Sequence, residues 1–131
     1  MDKLDLAFSG LARQAELIRA GEVSSRELVE LYLERIERLD PQLNSYRVVM
    51  AERALAEADQ ADARRRSDGE RPLLGVPIAI KDNIDVAGEV TTFGTNAYDP
   101  EPAREDAEMV RRLRAAGAVI LGKTLLPELA V

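Results

Sequence analysis

Two lysines close apolar runs in this sequence: Lys81 in "GVPIAIKDN", residues 75–83, and Lys123 in "GAVILGKT", residues 117–124. The 131 residues contain no histidine and no cysteine. A Ser-His-Asp triad, a Cys-His dyad and the usual zinc sites are therefore excluded within the chain. Acid–base chemistry must come from Asp, Glu, Lys or Tyr, so an oddly placed lysine gains interest. A lysine free in water, with a pKa near 10.4, holds its proton at neutral pH. A dry setting can lower that value by about 3–5 units, each unit being about 1.36 kcal/mol, and the neutral amine is then a base.

Five of the six residues from Val76 to Lys81 are apolar, as a buried strand requires. Alternation sends Val76, Ile78 and Ile80 to one face and Pro77, Ala79 and Lys81 to the other. The first face is bulky enough for a core. The second carries small neighbours, which leave room for the lysine stem at the carboxyl end of the strand, where α/β sheets place ligands. Two readings follow. Lys81 snorkels to water and pairs with Asp82 or Asp85, or it is a lysine held dry for chemistry. Asp82, Asn83 and Asp85 could support it or bind a metal, although such clusters more often form turns at a strand exit. Thr91, Thr92, Phe93 and Gly94 could border a substrate pocket or anchor a loop.

The stretch Gly117–Thr124 satisfies G-x-x-x-x-G-K-[ST], the phosphate-cradling loop of nucleotide hydrolases. That loop needs a strand before its first glycine, a turn of exposed amides and a helix from the lysine onward. Here Gly117 follows a helical pattern, and the middle residues are β-type and apolar. Gly117 reads better as a helix C-cap, and Lys123 as a strand-end lysine.

The elements that must position these lysines are legible from period and punctuation. "AFSGLARQAELIRAG" sets Leu11, Ala15 and Ile18 on one helix face and stops at Gly21. "SSRELVELYLERIERLDP" opens on the capping box Ser24-x-x-Glu27, spaces Leu28, Leu31, Tyr32, Ile36 and Leu39 helically, and halts before Pro41. "SYRVVM" suits a short strand, and "AERALAEADQADARRR" a helix with Ala54, Leu55, Ala58 and Ala61 inward. "SDGERP", residues 67–72, is a loop. Next come the strand "LLGVPIAIKD", a long irregular connection, a helix "AEMVRRLRAAG" with Ala107, Val110, Leu113 and Ala116 inward, and the apolar strand "AVILG". Strand, connection, helix and strand predict a βαβ crossover with a parallel pair covered on both faces. The class is α/β: a helical N-terminal layer over residues 1–66 with one short strand, then residues 73–131 as the first βαβ part of a mostly parallel or mixed sheet. "LLPELAV" has the pattern of another helix beginning, so residues 1–131 are expected to be the front portion of one larger domain.

Composition narrows the function classes. Hydrophobic content of 46% with 32% charged residues is that of a globular domain. A net charge of −6 argues against a nucleic-acid surface, and Arg64-Arg65-Arg66 fits a solvated helix end. No apolar stretch approaches the roughly 18 residues of a membrane span, and the N-terminus lacks a signal peptide's basic-then-apolar order. The absence of cysteine fits a cytoplasmic protein.

"PLLGVPIAIKDNIDVAGEVTTFGTNAY", followed by "AEMVRRLRAAGAVILGKTLLPELA", resembles the N-terminal part of the amidase signature family of serine hydrolases. "LIRAGEVSSRELVELYLERIERLDPQLNSY" resembles that family's helical lead-in. The resemblance implies that Lys81, the lysine of G-V-P-x-x-x-K-D, is the catalytic lysine. In the family it works with a serine held by a cis peptide and with a nucleophilic serine, both in a downstream Gly/Ser-rich stretch near the oxyanion-hole amides. Ser9, Ser24, Ser25, Ser45 and Ser67 are the serines here, and none has that setting. The family's usual "GKTN" reads "GKTL", with Leu125 in place of asparagine. The expected activity is hydrolysis of carbon–nitrogen amide bonds in a small molecule, with Lys81 as general base, Asp82 and Asn83 as its support, and no metal or other cofactor. An amidotransferase component supplying ammonia from glutamine is the alternative, and a non-catalytic fragment a third. Nucleic acid and membrane are not expected as partners; self-association into a homo-oligomer is left open.

Overall fold

A computed structural model describes residues 2–68 and 70–131. The chain runs through α1 (Lys3–Phe8), α2 (Leu11–Ala20), α3 (Ser25–Leu43), β1 (Tyr46–Val49), α4 (Ala51–Asp68), β2 (Pro77–Lys81), α5 (Glu108–Ala115) and β3 (Val119–Thr124), and finishes in a short 3-10 turn, Glu128–Ala130. The sheet has the order β1-β3-β2, with β2 parallel and β1 antiparallel to β3. The mixed α/β class and the parallel pair joined through α5 agree with the sequence reading.

Helices cover both faces of this sheet. On one side Val29 of α3 and Ala54 and Ala58 of α4 pack against Val119 and Leu121 of β3. The alanines let α4 come close, because a small side chain keeps the helix backbone near the strands. On the other side Val110 of α5 and Val86 pack against Ile80, Ile120 and Met50. A third cluster joins Ala15, Leu17 and Ile18 of α2 to Leu28 and Leu31 of α3 and to Val76. Helix α3 is thus wedged between two layers, which the single stripe expected for it did not include: Val29 is fully buried on the sheet side.

Several boundaries differ from the expectation, each for a local reason. The first helix is split at Ser9 and Gly10, with Gly10 at φ 81°, which leaves Leu11 48% exposed instead of inward. Helix α3 runs through Pro41 to Leu43 and ends on a left-handed Asn44. A proline so close to the end removes only one bond of the last turns, and Asn44 N–H still reaches Asp40 O at 2.7 Å. Helix α4 extends into the expected loop, as far as Asp68. Strand β2 begins only at Pro77, since Leu73–Gly75 form a turn. The capping box is present as read: Ser24 Oγ accepts the Glu27 N–H, and Glu27 accepts the Ser24 N–H at 2.7 Å. Residues 128–130 form the 3-10 turn, with Leu129 and Ala130 at positive φ, where a regular helix had been expected to start.

The nucleotide-loop match fails in geometry. Gly117 sits just past the end of α5 at φ 98°, its N–H bonded to Arg114 O, and residues 119–124 are strand β3. No cradle of free amides exists there. Among the described residues no helix is long and apolar enough to cross a membrane.

Candidate active site

Lys81 ends β2, opposite Thr124 in the parallel register. Its side chain is exposed and makes no hydrogen bond or ion pair among the described residues. Neither expected partnership forms, and residues 1–131 do not hold the amine dry, so neither reading of Lys81 is met in full. Asp82 turns to the other face and is completely buried, and Asp85 is exposed in the following turn.

Asp82 is bound by three elements at once. From β1, Arg47 Nε donates to its Oδ2 at 2.6 Å and Nη2 to its Oδ1 at 3.3 Å. From β3, Lys123 Nζ lies 2.9 Å from Oδ1. From the following loop, the Thr92 hydroxyl and the Thr92 N–H both donate to Oδ2. Burial by itself opposes ionisation of this carboxyl, but the donors from Arg47, Thr92 and Lys123 outweigh it and hold the group below the usual carboxylate range. The backbone of Asp82 is also fixed, its N–H on Thr124 O and its C=O accepting from Phe93 N–H, each at 3.0 Å.

Lys123 is the correction to the sequence reading. It does lie at the end of β3, one residue before Thr124, but it is fully buried, which the reading as a strand-end lysine did not include. Besides Asp82, its ammonium donates to Thr91 Oγ1 at 2.7 Å and to Val90 O at 3.1 Å. Three donors meet three acceptors, which is what makes a buried ammonium tolerable. A register shift explains its direction. Ile78 pairs with Ile120 but Ala79 pairs with Gly122, so β3 holds one extra residue and Lys123 falls opposite Ile80 instead of Lys81. A second shift, between Tyr46 and Val48, lies at Arg47. Gly122 is required between them: a Cβ there would lie 2.3 Å from Val48 O.

Asp82 therefore does not pair with Lys81; its bonds tie the strand exit to β1, β3 and the following loop. Asn83 supports nothing in view: its Oδ1 is buried without a hydrogen-bond partner. Thr91 and Thr92 are anchors of the loop through Lys123 and Asp82. They also line a cleft of about 250 Å³ with Val90, Thr95, Asn96 and Tyr98. Phe93 adopts φ 55° and sets its ring edge-on to Tyr98 at 5.6 Å, while Gly94 passes close to Leu126 O. Arg47 is the participant that sequence reading missed. Its only signal was a charged residue inside a short β-branched run.

The amidase family model matches residues 27–131. AmiB2 of Mycobacterium tuberculosis (strain ATCC 25618 / H37Rv), named as an amidase, is 56% identical over the whole chain, which spans 28% of that protein. A glutamyl-tRNA(Gln) amidotransferase component of Halorhodospira halophila is 48% identical over 92% of the chain and 25% of its own length. Among solved structures, the peptide amidase of Stenotrophomonas maltophilia superposes with a TM-score of 0.84 at 41% identity, over 93% of this chain and 26% of that one. The chain thus spans about a quarter of the length of the relatives it matches. It belongs to the amidase family.

Proposed function

We propose that the protein carrying this chain hydrolyses carbon–nitrogen amide bonds through a serine nucleophile, with Lys81 as the general base. The observation that supports this most is the setting of Lys81. It stands at the carboxyl end of β2 with no partner among the described residues, while the adjacent carboxylate is fully engaged by Arg47, Lys123 and Thr92. A base must offer a free electron pair, and an ion-paired ammonium does not. In this reading the neutral amine takes a proton from a bridging serine, which takes one from the nucleophilic serine, whose oxygen attacks the amide carbonyl. Collapse of the adduct breaks the C–N bond, and the proton returns along the same relay to the departing amine. Water then attacks the acyl-enzyme and releases the acid. By the family resemblance, both serines and the oxyanion-hole amides lie outside residues 1–131.

A second reading, as the ammonia-supplying component of an amidotransferase, draws on the 48% identity to such a protein. Leu125, where the family usually has asparagine, sets the chain apart from that pattern. Ammonia passed to an acylated acceptor in the presence of partner proteins, with little released free, would favour it over simple hydrolysis.

Ammonia release from a panel of primary amides is the test, run on the protein and on Lys81 variants. Lys81→Ala should lower turnover by roughly 10²–10⁴-fold, as loss of a general base does. Lys81→Arg should not restore it, because a guanidinium stays charged. Turnover surviving in Lys81→Ala would remove Lys81 from the chemistry.

A further inference from the structure

The mechanism leaves Lys123 without a task, although a completely buried ammonium is among the least casual features of any fold. We propose that Lys123, together with Arg47, is a positioning residue for Lys81: the two cations take up the charge of Asp82 on the opposite face of the sheet, so that the amine next to it in sequence stays without a counter-ion. This inference rests on Lys81 being the working amine.

Three observations carry it. Lys81 and Asp82 are consecutive at a strand exit, where a turn can bring neighbouring side chains together. Here Lys81 is exposed and Asp82 is buried, because alternation separates them and the extra residue in β3 brings Lys123 opposite Ile80, on the side to which Asp82 turns. Both carboxylate oxygens of Asp82 already hold partners: Arg47 from β1, Lys123 from β3 and Thr92 from the loop. The backbone bonds from Asp82 to Thr124 and Phe93 then fix the peptide on which Lys81 sits. Other charged groups near this end of the sheet are Asp40, whose carboxylate accepts the Ser45 and Tyr46 N–H groups at the start of β1, Asp85, exposed on the following turn, and Glu128, whose carboxylate accepts from Thr95 at 2.6 Å.

Removing a cation and removing the anion must then act on Lys81 in opposite senses. Without Lys123 the cluster falls from a net charge of +1 to neutral, so less positive field opposes a proton on Lys81. Without the Asp82 charge, Lys123 and Arg47 are in excess and loosen it. Coulomb energies between groups on opposite faces of a strand, in a medium of intermediate dielectric, amount to shifts of about one pH unit in the assembled protein.

The experiment reads the amine directly. Lys81 is acetylated with limiting acetic anhydride across a pH series, and its labelled fraction is measured by peptide mass spectrometry. The series is run on the protein and on Lys123→Met, Asp82→Asn and the double variant, with far-UV circular dichroism recording the fold of each. The half-labelling pH should rise by about one unit in Lys123→Met, fall by a similar amount in Asp82→Asn, and lie between the two in the double variant. If Lys123→Met does not fold, the downward shift in Asp82→Asn and its relief in the double variant carry the test. No shift in either folded single variant, or shifts of the same sign, would overturn the proposal. Because labelling needs no turnover, this outcome is separate from that of Lys81→Ala: an inactive Lys81→Ala protein with unmoved labelling sinks the charge-holding role alone, and an active one sinks the base.

Discussion

Replacing Lys123 by methionine asks how much the buried charge cluster contributes to the fold. Methionine keeps most of the stem and removes the ammonium, so packing changes little and the loss is electrostatic. Three contacts go: the 2.9 Å pair with Asp82 and the hydrogen bonds to Thr91 Oγ1 and Val90 O. Taking one partner from a buried ion pair typically costs about 3–5 kcal/mol, because the other charge is left in low dielectric. Here Asp82 keeps Arg47 and Thr92, and Val90 O keeps its bond from Arg47, which places the loss near the lower end, about 3 kcal/mol. Against a total of roughly 5–15 kcal/mol for a domain, that is a large fraction. Urea unfolding followed by far-UV circular dichroism measures it, with Lys81→Met as the control. The control removes an equal charge from an exposed side chain without partners and should stay within about 0.5 kcal/mol. The double variant Asp82→Asn with Lys123→Met removes both charges and should cost at least about 1 kcal/mol less than the sum of the singles. A loss below about 1 kcal/mol for Lys123→Met at unchanged m-value, or strict additivity in the double variant, would show that Lys123 and Asp82 do not depend on each other.

Acid should act through the same carboxylate. The folded protein holds Asp82 below its ordinary range, so its stabilisation is complete above the unfolded value, near 3.9, and is lost as pH falls through the lower folded value. Urea midpoints measured from pH 5 down to pH 2 should drop, and Asp82→Asn should flatten that limb while lowering the plateau above it. Gly122→Ala places a methyl group 2.3 Å from Val48 O, a backbone atom of the neighbouring strand, so β1 and β3 must part; we expect a loss above about 2 kcal/mol in the same unfolding assay. Ser24→Ala removes the side-chain half of the capping box on α3 and should cost about 1 kcal/mol, with Ser24→Asp recovering most of it.

What the sequence discloses and what it hides divide along a physical line. Local signals held because local chemistry decides them: the capping box of α3, the left-handed Gly21 after α2, the apolar run of β3 and the alanine face of α4 all appear where period and propensity put them. Lys81 at the exit of β2 was legible for the same reason, since strand length and alternation are short-range properties. The partners were not. Asp82 finds Arg47 across 35 residues and Lys123 across 41, and Lys123 faces Asp82 because β3 accommodates one more residue than β2 does. A shift of one position between two strands reverses which side chains share a face, and no period within either strand records it. The same limit explains why the burial of the two lysines was not legible. From "VPIAIK" and "VILGK" alone, each is a lysine after an apolar run, with nothing to say which one reaches water. Burial was decided by the position of a carboxylate on another strand. The lysine that the fold hides is therefore held in the charge cluster, and the lysine that it leaves bare, beside a carboxylate already taken, is the one proposed above as the base.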